Sequence, residues 1–192
     1  MPPLTLVTGG SRGLGRNTAL SIARKGGDVL ITYRSRADAA DAVITEIEAL
    51  GRKARALQLD TSEPSRFPAF ADSVKAALQE TWNRSSFDHL VNNAGEGINV
   101  PLAEIREAQF DTLFSVHVKG VLFLTQTLLP LIADGGRIVN ISSGLTRFTY
   151  PGYGAYAAAK GAVEDTVRDR PLQSVALAFG AGMLLAGLIS RR

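Results

Sequence analysis

The sequence predicts an α/β fold, a doubly wound parallel sheet truncated after its fifth strand and followed by one hydrophobic C-terminal helix. Three observations carry that reading. Short apolar runs alternate with helix-periodic stretches up to about residue 142, as strands alternate with crossover helices. A glycine-rich loop joins the first apolar run to the first helical stretch. A last run, residues 171–190, carries no charge and is long enough to cross a bilayer.

Each element follows from local pattern. Residues 4–8, LTLVT, form an apolar run bounded by prolines and glycines, as expected of a buried parallel strand. Residues 13–26 place Leu14, Ala19, Ile22 and Ala23 at helical spacing and stop at Gly26-Gly27. A strand is expected at 28–33 (DVLITY), then a helix over about 37–50 that ends in Gly51. A third strand, 54–59, leads to a helix over about 64–83 with Pro64 in its first turn. Strand 87–93 (FDHLVNN), a long helical region over roughly 104–132 and strand 136–142 (GRIVNIS) complete the alternation.

Composition narrows the function. At 192 residues the chain suffices for one well-buried domain. The net charge of +3 arises from 21 basic and 18 acidic residues that are interspersed, without a basic run among aromatics, so nucleic acid is not an expected partner. The absence of cysteine excludes disulfides, thiolate metal sites and cysteine nucleophiles, and suits a reducing compartment. His89 and His117 are too few and too far apart to propose a metal. The start MPPLTLVTGG lacks a signal-peptide pattern, so the globular part is expected in the cytoplasm.

The loop TGGSRGLG, residues 8–15, carries the first chemistry. Gly9 permits a sharp turn, Gly13 lets backbone approach a pyrophosphate, and Gly15 lets the helix pack against the strand. The helix start that follows offers free N–H groups to phosphate.

The spacing TGxxxGxG resembles that of the short-chain dehydrogenase/reductase family, and two further motifs fall in that family's order. One is NNAG at 92–95, at the end of the fourth strand. The other is Ser143 with Tyr156 and Lys160 in YAAAK. The resemblance covers residues 4 to about 163, which we take as a Rossmann-type dinucleotide-binding domain spanning 1–163. It implies that Gly9, Ser11, Arg12, Gly13, Leu14 and Gly15 cradle the cofactor. It further implies that Asp60 with Thr61 contacts the adenine, and that Asn92, Ala94 and Gly95 line the adenosine side.

Charge bears on the choice of cofactor. An NAD site places an acid at the end of the second strand to bind both ribose hydroxyls. Here the chain reads Tyr33-Arg34-Ser35-Arg36, with no acid before Asp38, and Arg12 is expected near the same spot. Guanidinium groups suit a 2′-phosphate, so NADPH/NADP is expected ahead of NAD.

Tyr156 and Lys160 lie four apart and share one helix face. An ammonium beside the phenol is expected to lower its pKa from roughly 10 toward neutrality. By resemblance, Tyr156 is the general acid/base, Ser143 hydrogen-bonds the substrate carbonyl, and Lys160 holds the nicotinamide ribose. His117 stands where the family usually has asparagine. An imidazole can donate and accept, so it serves either in the proton relay or as a packed helix residue.

After residue 163 the chain departs from the family. A linker EDTVRDR precedes the run from Pro171 to Ser190, which Arg191-Arg192 closes. Twenty residues of helix span roughly 30 Å, the thickness of a hydrocarbon core. Ala178, Gly182 and Ala186 form a small-residue face suited to helix pairing. This tail resembles the C-terminal anchor of small bacterial ribosome-associated inner-membrane proteins, so 164–192 reads as linker and transmembrane tail.

The expected function is therefore an NADP(H)-dependent oxidoreductase of a small carbonyl or alcohol, on the cytoplasmic side of a membrane. Loss of the C-terminal substrate-binding part is expected to impair it. A soluble cytoplasmic chain is the alternative location, and self-association stays open. The alternative functions are a non-catalytic nucleotide-binding remnant and a membrane-anchored interaction protein.

Overall fold

In the computed structural model, residues 1–168 are described, and the expected tail helix lies outside them. Five parallel strands form one sheet in the order β3-β2-β1-β4-β5. They are β1 (Leu4–Val7), β2 (Asp28–Tyr33), β3 (Ala54–Gln58), β4 (Phe87–Asn92) and β5 (Ile132–Asn140). Helices α1 (Gly13–Arg24), α2 (Ala37–Ala49), α3 (Phe67–Trp82), α4 (Glu107–Phe114) and α5 (Gly120–Leu128) connect them, and α6 (Gly154–Arg168) follows β5.

Strand alternation divides the core between two faces. Leu4, Leu6, Leu30 and Leu90 face α3 and α5, where Phe67, Val74, Leu78, Leu124 and Leu128 are buried. Val7, Val29, Ile31 and Val91 face the other way, onto Ala19, Ile22, Val43 and Ile47 of α1 and α2. Strands covered on both faces read as continuous apolar runs, which is why β1 and β2 were legible. At the amino end of β2, the buried Asp28 accepts from Arg52 (2.6 and 2.9 Å) and from the Trp82 indole N–H (3.0 Å), fastening the end of α3 to the sheet.

Two elements differ from the sequence pattern. The fifth strand is expected at 136–142 but runs from Ile132 to Asn140. Ile132 pairs with Phe87, and pairing then resumes at His89 and Arg137 across an irregularity. The Gly135-Gly136 pair that resembles a turn in the sequence is this irregularity, with Gly135 at φ +77°. The long helical region over 104–132 is also interrupted. Ser115–Lys119 forms a π-helical turn between α4 and α5. Such an extra residue within a helix re-aims side chains and frequently marks functional sites.

The composite helix Glu107–Leu131 is long and apolar enough to cross a membrane, with a mean hydropathy of 1.3. Its Leu113, Val116, Leu124 and Leu128 are buried against the domain, while Phe110, Leu122, Phe123 and Leu129 are exposed. Helix α6 continues to Arg168, past the boundary drawn at residue 163.

Candidate active site

The strand order reverses between β1 and β4, and the crevice at their carboxyl ends is where a doubly wound sheet binds ligands. A cleft of about 370 Å³ lies there. Its wall includes Gly9, Ser11, Arg12, Gly13, Leu14, Gly15, Tyr33, Arg34, Asp60, Thr61, Ala94, Gly95, His117, Tyr156 and Lys160, all of them expected from sequence.

The glycine loop is shaped for close approach. Gly9 and Gly13 have φ of +65° and +55°, in the left-handed region. A Cβ on Gly15 would collide with the Gly9 carbonyl and the Asn93 side chain, so only glycine lets α1 start there. The loop is fastened on both sides. Gly9 N–H donates to Thr32 Oγ1 (3.1 Å), while the Asn93 amide donates to the carbonyls of Thr8 (2.9 Å) and Gly9 (3.3 Å). The first turn of α1 has no acidic residue and no side-chain cap, which leaves its N–H groups open toward the cleft. These residues fit a dinucleotide pyrophosphate.

Asn92 does not take the place expected of it. Its amide is buried and donates to Asn140 Oδ1 (2.8 Å) and Thr125 Oγ1 (3.0 Å), away from the cleft. Successive side chains leave a strand on opposite sides, so Asn93 reaches the wall instead. Thr8 Oγ1 accepts from the N–H groups of Asn93 (3.0 Å) and Ala94 (2.9 Å) and fixes this segment. The alternation along β4 was the available signal. Leu59, Glu96, Gly97, Val116, Ile141 and Ser142 also line the cleft and were not anticipated.

The arginines separate. Arg12 and Arg34 stand on the cleft wall, whereas Ser35 and Arg36 do not. Arg36 instead pairs with Asp38 at 3.3 Å on the exposed surface. Arg34 meets Glu96 at 3.5 Å. Burial raises the pKa of Asp60, but hydrogen bonds from Ser62 and the Arg34 charge outweigh it and hold the carboxyl below its ordinary range.

At the other end of the cleft, β5 and α6 bring Ser143, Tyr156 and Lys160 together. Ser143 lies near enough to the Tyr156 phenol to favour its ionised form, and Ser143 Oγ accepts from Leu145 N–H (3.3 Å) at the start of a short 3-10 turn. Lys160 Nζ donates to the Ile141 carbonyl at 2.8 Å and sits 5.9 Å from the Tyr156 ring centroid.

This arrangement corrects one expectation. The Tyr156 pKa is raised, not lowered: burial dominates, Ser143 opposes it, and Tyr153 adds to it. The ammonium donates to a backbone carbonyl and lies over the face of the phenol ring. Burial takes Lys160 itself down to about 8.

His117 lies within the π-helical turn, 1% exposed, edge-on to Tyr156 with ring centroids 5.4 Å apart. Burial first, and then the Lys160 charge, lower its pKa to about 4, so the ring is neutral near pH 7. Its Nε2 lies 2.7 Å from the Glu96 carbonyl, which can only accept. The proton is therefore on Nε2, and the buried Nδ1 is left as an acceptor with no partner among the described residues.

Comparisons with known proteins agree with this geometry. A short-chain dehydrogenase/reductase from a Cladobotryum species is 37% identical over 166 residues, covering 85% of this chain and 61% of its own length. Landomycin C-6 ketoreductase, solved with bound NADP and rabelomycin, superposes with a TM-score of 0.82 at 35% identity, covering 85% of this chain and 67% of that one. A short chain dehydrogenase from Burkholderia cenocepacia J2315, solved with NADP, gives 0.79 at 38% identity, covering 87% and 66%.

The chain spans about three-fifths of the length of the curated relatives it matches. Residues 163–192 match a glycine-zipper region described as the C-terminal part of a family of unknown function, DUF883. The short chain dehydrogenase profile matches residues 3–173, covering the glycine loop, both strand-end motifs and the Ser143, Tyr156 and Lys160 cluster; the chain belongs to that family.

Proposed function

We propose that this chain is an NADP(H)-dependent oxidoreductase that interconverts a small carbonyl compound and its alcohol. The observation that carries the reading is one cleft with a phosphate-shaped glycine loop at one end and Tyr156 and Lys160 at the other, where Ser143 acts on the phenol. In this reading Gly9, Ser11, Gly13 and the start of α1 hold the pyrophosphate. Arg12 and Arg34 face the 2′-phosphate, and Asp60, Thr61, Ala94 and Gly95 face the adenosine. The nicotinamide, when bound, supplies or takes the hydride.

The protein's own groups handle the oxygen and its proton. Ser143 Oγ holds the substrate oxygen, and Tyr156 Oη donates the proton to it or removes it. A phenol with a raised pKa stays protonated at neutral pH, which favours the reducing direction. Lys160, fixed on the Ile141 carbonyl, contributes a charge at the cleft floor. Relatives and neighbours named as reductases, and neighbours solved with NADP or NADPH, support this assignment. The test is turnover of the full chain with NADPH across ketones, aldehydes and quinones, with Tyr156→Phe as control. Turnover unaffected by that substitution would defeat the reading.

A second reading concerns residues 171–190, where the charge-free run and the glycine-zipper match both favour contact with a membrane. The chain should sediment with membranes, and removing residues 171–192 should release it. Recovery of the intact chain in a detergent-free high-speed supernatant would contradict it.

A further inference from the structure

We propose that Glu96 sets the cofactor preference of the cleft by opposing the 2′-phosphate, an inference that rests on the NADP(H) reading above. The end of β2 carries no acid at Tyr33-Arg34-Ser35, yet the cleft wall is not without acids there. Among the described residues, the wall has two carboxylates, Asp60 and Glu96. Asp60 Oδ1 is held in its own turn, accepting from the Ser62 N–H (2.9 Å) and hydroxyl (2.7 Å), and no ion pair joins Asp60 to either arginine among the described residues. Among the described residues, the Glu96 carboxylate meets only Arg34, at 3.5 Å. It comes from the loop after β4, two strands away across β1, so the topology supplies from there the acid that the end of β2 lacks.

The two arginines are therefore unequal. The Arg12 guanidinium makes no hydrogen bond or ion pair among the described residues and is free to meet a phosphate. Arg34 already faces a carboxylate, and the Asp60 charge also acts on it. A phosphate monoester carries nearly two negative charges at neutral pH, so it must displace Glu96 from Arg34 or share the guanidinium with it. A ribose without that phosphate has no such conflict, because its hydroxyls can donate to the Glu96 carboxylate. Glu96 should thus narrow the preference that Arg12 and Arg34 create.

The experiment measures binding alone. The full chain and its Glu96→Gln variant are titrated calorimetrically with adenosine 2′,5′-bisphosphate and with 5′-AMP. Glu96→Gln keeps the backbone carbonyl that holds His117 and changes a side chain that is only partly buried. Removing one like charge at this range should tighten the bisphosphate on the order of three- to tenfold at low salt, with 5′-AMP unchanged or weakened. The gain should shrink in 0.5 M salt. An unchanged ratio between the two ligands, or a parallel change in both, overturns the role of Glu96. If 5′-AMP binds and the bisphosphate binds no better to either protein, the NADP(H) reading falls, and the inference with it.

Discussion

The Lys160 ammonium donates to the backbone carbonyl of Ile141 at 2.8 Å, tying α6 to the end of β5. That bond places a cation under the cleft in a position 6% exposed to solvent. The phenol itself answers first to burial and then to Ser143. The pH behaviour of the site follows from these few groups.

Lys160 should make the fold more stable as pH rises through its titration. Its folded pKa, about 8, lies below the ordinary 10.5, so between those values the unfolded chain binds the proton and the folded chain does not. The buried charge costs stability at neutral pH, and the cost disappears as pH climbs toward 10.5. Relative to Lys160→Met, the native chain should gain on the order of 2–3 kcal/mol between pH 7.5 and 10. Parallel denaturation midpoints for the two proteins across that range would show that burial does not govern this lysine.

His117 acts in the acid range. Its folded pKa of about 4 lies below the ordinary 6.5, so the neutral ring stabilises the fold fully above 6.5. That stability is lost as pH falls from 6.5 toward 4, by on the order of 3 kcal/mol. His117→Asn removes the titration, and its amide can still bond the Glu96 carbonyl. The variant should therefore lose most of the acid-side slope in urea midpoint against pH. An unchanged slope would assign the acid sensitivity to other groups, with the half-buried His89 the first to examine.

Much of this site was legible in the sequence because glycine, apolar runs and helix spacing act locally. Gly9, Gly13 and Gly15 announce a loop of left-handed turns and close approach, and Tyr156 and Lys160 announce one helix face. What escaped depends on direction or on distant partners. Asn92 and Asn93 are equivalent as letters, and the pleat of β4 alone decides which one reaches the cleft. Arg34 and Arg36 look like one cluster until Asp38 and Glu96 take one each. The π-helical turn at His117 leaves no periodic signature, since one extra residue is invisible in a pattern of period 3.6.

The influence of Ser143 on Tyr156 predicts a spectroscopic shift. The serine hydroxyl favours the phenolate, so Ser143→Ala should move Tyr156 ionisation further upward. Titration at 295 nm, with the Tyr156→Phe curve subtracted, isolates that phenol from the other three tyrosines. A shift to higher pH is expected without any cofactor present. No shift, in a variant that stays folded, would mean that Ser143 does not tune the acid.

The arginines supply the last prediction, because they divide by geometry where the sequence groups them. Arg12 and Arg34 stand on the cleft wall; Arg36 is off it and paired with Asp38 on the surface. Alanine at Arg12 or at Arg34 should weaken adenosine 2′,5′-bisphosphate on the order of tenfold, since each removes a charge-assisted contact to phosphate. Binding of 5′-AMP should change less in both. Arg36→Ala should leave both ligands within about twofold, as expected for an exposed ion pair that faces solvent. The salt dependence of bisphosphate binding should flatten in the first two variants and persist in the third. If Arg36→Ala weakens the bisphosphate as much as Arg12→Ala does, all three arginines form the phosphate site, and the cleft must close further around its ligand than the structure shows.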